Sequence, residues 1–121
     1  MEGPFIAAAH KGAQPLEYVA VPDIETFDKY NEASGKAIKI VTLAPEVDGA
    51  DALIRHLDKE GVVASIGHTG AKYADIVKAV EAGAKDVTHT YNAQSALHHR
   101  EIGTVGSAML IDELNCEILH R

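Results

Sequence analysis

Apolar and polar positions along this chain follow one grammar, stated three times. An amphipathic helical stretch ends at a glycine, a short β-branched run follows, and the run stops in polar residues. The first helix is predicted from Asp23 to about Ser34, with Ile24, Phe27 and Tyr30 along one face, Pro22 at its entry and Gly35 as its stop. Its strand is Ile38 to Leu43, closed by Ala44-Pro45-Glu46. The second helix spans about Asp51 to Glu60, with Leu53, Ile54 and Leu57 inward and Gly61 as the stop; the strand Val62 to Ile66 runs into Gly67-His68-Thr69. The third covers about Ala71 to Ala82, with Tyr73, Ile76, Val77 and Val80 on one face and Gly83 after it. A strand near Asp86-Val87-Thr88 then runs into His89-Thr90-Tyr91-Asn92.

Strands separated by ten-residue helices pair in parallel through crossover connections, so the class is α/β. A (β/α) barrel takes about 250 residues, and three full units plus partial ones at each end amount to about half of one. A doubly wound open sheet is built from the same units, and periodicity does not choose between them. Glu2-Gly3-Pro4-Phe5 reads as a strand end with no strand before it, and Cys116 to Leu119 as a strand that begins just before the chain finishes. Both ends look cut, and residues 1–121 read as a fragment of one barrel domain. Half a barrel leaves two sheet edges and an apolar face uncovered, so a homo-oligomer is expected.

Composition narrows the function classes. At 121 residues and 46% hydrophobic, the chain can bury a core. It has no run near the roughly 18 apolar residues of a membrane helix and no basic-then-apolar leader, so no membrane partner is expected and the expected location is cytoplasmic. The single Cys116 makes no internal disulfide, which suits a reducing compartment. A net charge of −7, with 5% aromatics and no Trp, disfavours nucleic acid. Seven histidines stand out.

In parallel α/β sheets functional groups gather where strands end. His68 and His89 follow successive strands at matching places, 21 residues apart. Two imidazoles there can meet around one divalent cation, and a carboxylate as third ligand leaves a position open for water. Glu2, just before the Gly-Pro turn, is the carboxylate candidate. The alternative is that each histidine is a hydrogen-bonding loop residue, and spacing alone leaves both readings open. Glu46 competes with Glu2 as ligand but reads better as a helix-entry acid. His10 and His56 read as solvated, and Tyr18 and Tyr30 as packing residues.

Six segments carry a resemblance: Glu2-Gly3-Pro4-Phe5, Lys11-Gly12-Ala13-Gln14, Val41-Thr42-Leu43-Ala44-Pro45-Glu46, Gly67-His68-Thr69, Thr88-His89-Thr90-Tyr91-Asn92-Ala93 and His98-His99-Arg100-Glu101. In this order they resemble the successive motifs of N-acetylglucosamine-6-phosphate deacetylases of the amidohydrolase superfamily, from Glu2 to at least Gly106. The resemblance implies a barrel whose divalent metal, Zn²⁺ or Fe²⁺, is held by Glu2, His68 and His89. It implies a sugar-phosphate pocket that includes Asn92 and Ala93, with Arg100 as the planar fork for the 6-phosphate. Gln14 falls where family members carry either His or Gln near the substrate; His99 is placed to reach substrate and His98 to orient the loop.

The reaction implied is hydrolysis of the acetamide, giving glucosamine 6-phosphate and acetate. The metal activates water, and an aspartate takes the proton and returns it to the departing amine. In the family that aspartate follows a later strand, beyond Arg121, so the resemblance supplies no catalytic residue in this chain; Leu119-His120-Arg121 matches no family motif. Two departures from the pattern are Ile102, where Pro commonly follows the Arg-Glu pair and whose presence is expected to loosen the phosphate loop, and Gln94, where Met is usual. Three readings follow: a catalytically incomplete piece of a deacetylase, a half-barrel that binds metal or sugar phosphate without chemistry, and a half-barrel that only self-associates.

Overall fold

The computed structural model describes residues 1–120. Three of its helices lie where the pattern places them: α1 over Ile24–Ala33, α2 over Ala50–Lys59 and α3 over Tyr73–Ala82. Asp23 caps α1, its carboxylate accepting from the Thr26 amide at 2.8 Å and the Thr26 hydroxyl at 2.6 Å. Gly35, Gly61 and Gly83 follow the helices at φ 70°, 74° and 121°, conformations a side chain would strain.

Four parallel strands, β1 (Ile40–Leu43), β2 (Val63–Ile66), β3 (Asp86–Val87) and β4 (Asn115–Cys116), lie side by side in chain order. Thr42, Ser65, Asp86 and Asn115 stand level, as do Leu43, Ile66, Val87 and Cys116. Met1 to Gly3 pair along the other side of β1. Glu2 bridges Thr42 in parallel, Thr42 N–H donates to the Met1 carbonyl at 2.8 Å, and the N-terminal amine donates to the Ile40 carbonyl at 2.7 Å. The start of the chain thus behaves as the strand end its sequence suggests.

One sheet face is apolar. Val41, Leu43, Ala64, Ile66 and Val87 join Leu53, Ile54 and Leu57 of α2 and Ile76 and Ala79 of α3 in one buried core. Burying each large aliphatic side chain there contributes about 1.5–3 kcal/mol. The other face is polar yet buried: Thr42 and Thr88 hydroxyls lie 2.9 Å apart, Ser65 and Thr88 hydroxyls 2.6 Å, and the Ser65 hydroxyl donates to Asp86 at 2.7 Å. A pairing of polar groups across three strands offsets their desolvation. This arc of parallel strands, apolar towards its helices, is the α/β partial barrel that the sequence predicts.

Several details differ from the pattern. On α1 only Phe27 is buried, while Ile24 and Tyr30 are exposed. Their spacing puts them on either flank of the Phe27 stripe, and α2 is the helix that α1 packs against. Tyr73, at the first position of α3, is also exposed, and Ala79 and Ala82 take the inward places beside Ile76. A fourth helix, α4 (Gly103–Leu110), escaped the pattern because its first six residues are all buried and mostly small, leaving no polar face to set a period. The last strand comes earlier than read: pairing is confined to Asn115 and Cys116, with Glu117 adding one bond to Val87, and Ile118 and Leu119 are exposed. His56 is not solvated but packs edge-on against Phe27, ring centroids 6.0 Å apart, and bonds Asp28 at 2.8 Å.

Candidate metal centre

The level register carries past the strand ends. His68 lies two residues beyond Ile66 and His89 two beyond Val87, so both imidazoles leave the sheet at one height. Both residues are left-handed, at φ 48° and 31°. For non-glycine residues this costs about 1–2 kcal/mol each, a strain held by the surrounding bonds.

The imidazoles meet. His68 Nε2 is 3.2 Å from His89 Nε2 and 2.7 Å from Glu2 Oε1, and His89 Nε2 is 3.6 Å from the same oxygen. Each ring's other nitrogen faces a backbone carbonyl, His68 Nδ1 that of His10 at 2.8 Å and His89 Nδ1 that of Asn92 at 3.0 Å. A carbonyl only accepts, so both Nδ1 atoms carry hydrogen and both neutral rings turn a lone pair inward. Three lone-pair atoms within 4.8 Å of one another repel unless a cation stands among them. Tetrahedral bonds of about 2.0–2.1 Å separate ligand atoms by about 3.3 Å, which the observed 2.7, 3.2 and 3.6 Å bracket. The donor set therefore fits a divalent metal. Carbonyl partners on the far ring nitrogens fix the tautomer that turns each Nε2 lone pair toward a metal.

The hydrogen bond between His68 Nε2 and Glu2 is the largest influence on the Glu2 carboxyl. It outweighs partial burial, which acts the other way, and with the charges of both imidazoles holds the carboxyl below the ordinary carboxylate range. His68 is buried while the Glu2 side chain is 51% exposed, so the cluster is walled on the histidine side and open on the carboxylate side.

Supporting residues come from segments that sequence reasoning left out of the site. His10 contributes its backbone carbonyl. Ala7 N–H donates to the His68 carbonyl at 2.9 Å, and a methyl on Gly12 would sit 3.4 Å from the His68 ring. Glu46 is neither ligand nor helix-entry acid; its oxygens accept from Thr69 Oγ1 and Gly70 N–H. Gln94 is buried and donates to the His89 carbonyl at 3.3 Å. Gly67 is needed for space, because a methyl there would lie 2.8 Å from Thr42 Cγ2 and 2.9 Å from Thr88 Cβ. Apart from the Gln94–His89 bond, each of these roles involves a partner distant along the chain, so no local sequence signal marks it.

Gln14, Asn92 and Ala93 lie beside the cluster without joining it, while His99 and Arg100 lie on an exposed loop. Gln14 lies against Gly3 and shares with Glu2 a cleft of about 520 Å³. Tyr18 and Tyr30 also line this cleft and are 66% and 48% exposed, so they are cleft residues rather than packing residues. The Asn92 amide turns back to the carbonyls of His89 and Thr90 at 3.3 and 3.4 Å and so braces the turn that carries His89. The Ala93 carbonyl accepts from Thr69 N–H, tying the two histidine loops together. In the exposed 98–100 loop, His98 Nδ1 accepts from the Arg100 amide at 3.2 Å, and Arg100 Nε donates to His99 Nε2 at 3.3 Å. Ile102 follows this loop at the entry to α4. Its φ of −72° is close to the angle proline would impose. Glu101 anchors the loop by accepting from Tyr73 N–H at 2.9 Å and Gly103 N–H at 3.1 Å, bonds that also lower its carboxyl.

The fold and the cluster define a class: a parallel α/β segment with an imidazole–carboxylate centre at the carboxyl ends of its strands. No family model matches the chain. Individual proteins do. The chain is 47% identical over 119 residues to the N-acetylglucosamine-6-phosphate deacetylase of Bacillus subtilis (98% of this chain, 30% of that protein). It is 38% identical over 109 residues to an N-acetylgalactosamine-6-phosphate deacetylase of Escherichia coli O157:H7 (90% and 29%). A mutant Mycobacterium smegmatis N-acetyl-D-glucosamine-6-phosphate deacetylase, solved with N-acetyl-D-glucosamine-6-phosphate, superposes with a TM-score of 0.93 at 34% identity over 97% of this chain and 31% of that one. Along nearly its whole length the chain is similar to proteins named N-acetylglucosamine-6-phosphate deacetylase, and it spans about 30% of the length of the relatives it matches.

Proposed function

We propose that this chain carries the metal-binding part of an N-acetylglucosamine-6-phosphate deacetylase, with Glu2, His68 and His89 holding one divalent cation, zinc or iron. The observation that carries the reading is the convergence of two Nδ1-protonated histidines and a carboxylate on one point. A bound cation would polarise the acetamide carbonyl and lower the pKa of a water. The chain's own contribution is to fix the tautomers, wall the histidine side and leave the Glu2 side open to the cleft with Gln14.

Relatives named for both N-acetylglucosamine and N-acetylgalactosamine 6-phosphates support a 2-acetamido-sugar 6-phosphate as substrate class. Arg100 and His99 on their exposed loop, with Asn92 and Ala93 beside His89, supply its polar contacts in this reading. Glu2 serves as a ligand, Glu46 is bonded to Thr69 and Gly70, and Glu101 to backbone amides. In this reading the proton-relay step is assigned to none of these three. The exposed Leu97, Met109 and Leu110 beside that loop support self-association, for which light scattering at micromolar concentration is the check.

Titration calorimetry with Zn²⁺ is the direct test, read beside a deacetylation assay on N-acetylglucosamine 6-phosphate. One Zn²⁺ per chain, lost in His89→Ala, without turnover, is the expected pair of results. Absence of stoichiometric binding defeats the metal centre. Turnover that disappears in His89→Ala places a general base within this chain and defeats the claim of incompleteness.

A further inference from the structure

We infer that Glu46 is a positioning residue for His68: its carboxylate holds Thr69 and Gly70 and so fixes the turn that aims His68 Nε2 into the ligand cluster. The inference rests on the metal reading above for its consequence, though not for its geometry.

The sheet alone cannot hold this turn. The β1–β2 register ends at Leu43 and Ile66, and Gly67 N–H makes the last bond to β1, at the Leu43 carbonyl. His68 then turns left-handed, a conformation its side chain disfavours, so something beyond the ladder has to keep it there. Glu46 lies at the carboxyl end of β1, one strand over. Its Oε2 accepts from Thr69 Oγ1 at 2.5 Å and its Oε1 from Gly70 N–H at 2.7 Å. Both oxygens are occupied by the two residues that follow His68. Thr69 is fully buried, and its hydroxyl oxygen also accepts from Ala71 N–H at 3.0 Å, so the clamp extends into the approach to α3.

Other bonds converge on the same turn. Thr69 N–H donates to the Ala93 carbonyl and Ser95 N–H to the Thr69 carbonyl, joining it to the segment beyond His89. A methyl added to Gly70 would lie 3.0 Å from His10 Nε2, so the turn also packs against the segment whose carbonyl takes the His68 Nδ1–H. Of these restraints, Glu46 contributes the charge-assisted pair, which is the stronger kind. A helix-entry role does not compete, because α2 starts after Gly49 and Asp51 is the acid in its first turn.

The test uses Glu46→Ala and Glu46→Gln with Co²⁺ as the probe metal. Glu46→Ala is expected to weaken Co²⁺ binding about 10–100-fold and to alter the visible cobalt spectrum, as loss of an outer-shell partner does. Glu46→Gln keeps one of the two acceptors and the size of the side chain but not the charge, and is expected to bind Co²⁺ with an affinity between those of the parent and Glu46→Ala. In metal-free protein, Glu46→Ala should speed hydrogen exchange at the Thr69 and Gly70 amides and change the His68 imidazole nitrogen shifts, with Val41 and Leu57 amides unaltered. Parental affinity, spectrum and shifts in Glu46→Ala would overturn the inference. If the parent itself binds no Co²⁺, the metal reading fails, and the amide exchange and imidazole shifts still decide the positioning role in either direction. Should Glu46→Ala not fold, Thr69→Val removes one of the two bonds at nearly constant shape and is read by the same measurements.

Discussion

His68 and His89 face each other nitrogen to nitrogen at 3.2 Å, with their rings nearly perpendicular at 81°. With both Nδ1 hydrogens committed to carbonyls, neither Nε2 can hydrogen-bond the other while both rings are neutral. A metal needs both Nε2 lone pairs free, so its binding competes with protons for the same atoms. Apparent Zn²⁺ affinity is therefore expected to rise with pH, about tenfold per unit for each proton displaced. Calorimetry in buffers of different ionisation enthalpy counts the protons released. A proton count of zero throughout would show that the cluster is not protonated before metal enters.

Glu2→Gln keeps the shape of the third ligand and removes its charge. Zn²⁺ affinity should fall by at least about 10-fold, the low end of what outer-shell losses alone produce. Because the Glu2 carboxyl is lowered in the folded chain, its pairing with His68 adds stability at neutral pH that is lost as pH falls through the folded-state value. Thermal melts of the metal-free parent should thus lose more stability on acidification below about pH 4.5 than melts of Glu2→Gln.

Glu117 behaves in the opposite sense. Desolvation of its carboxyl first, and the neighbouring Asp86 second, raise it above the ordinary range, despite a bond from His89 N–H. A carboxyl raised on folding binds more protons in the folded than in the unfolded chain, so stability declines as pH rises through that window. Glu117→Gln, neutral at every pH, should melt higher than the parent at pH 7, with the gap closing under acid conditions where both carboxyl states are protonated. Parallel stability curves for the two proteins would refute this.

Gln94 is buried with its amide oxygen unpartnered, while the His89 carbonyl that its nitrogen reaches also accepts from the Asn92 backbone N–H at 2.9 Å. Replacing Gln94 by Met removes the unsatisfied oxygen and leaves the carbonyl bonded. A gain of about 1 kcal/mol is expected by denaturant unfolding; a loss of similar size would mean that the Gln94 bond holds the His89 turn.

Gly67→Ala puts a methyl 2.8 Å from Thr42 Cγ2 and 2.9 Å from Thr88 Cβ. Pushing these two apart strains their hydroxyl contact as well as the packing, for an expected loss of about 1–3 kcal/mol. Urea unfolding measures it, and a neutral result would show that the interior face of the sheet is loosely packed.

The α/β class and the helix stops were legible in the chain, because amphipathic period and glycine position are local properties. The level placement of His68 and His89 was legible for the same reason: each follows its strand by a fixed count, and parallel register turns equal counts into equal heights. The motif order pointed to the family and to Glu2. Tertiary structure decided what each side chain does. Whether Tyr18 and Tyr30 pack or line a cleft depends on neighbours distant in sequence, and so does the identity of Glu46 as a clamp rather than a ligand. The metal-binding tautomers rest on the His10 and Asn92 carbonyls, backbone groups that every residue type possesses and that no sequence pattern can single out. Composition and period set the elements through local energetics; the direction of the His68 lone pair is set only when segments 58 residues apart are folded together.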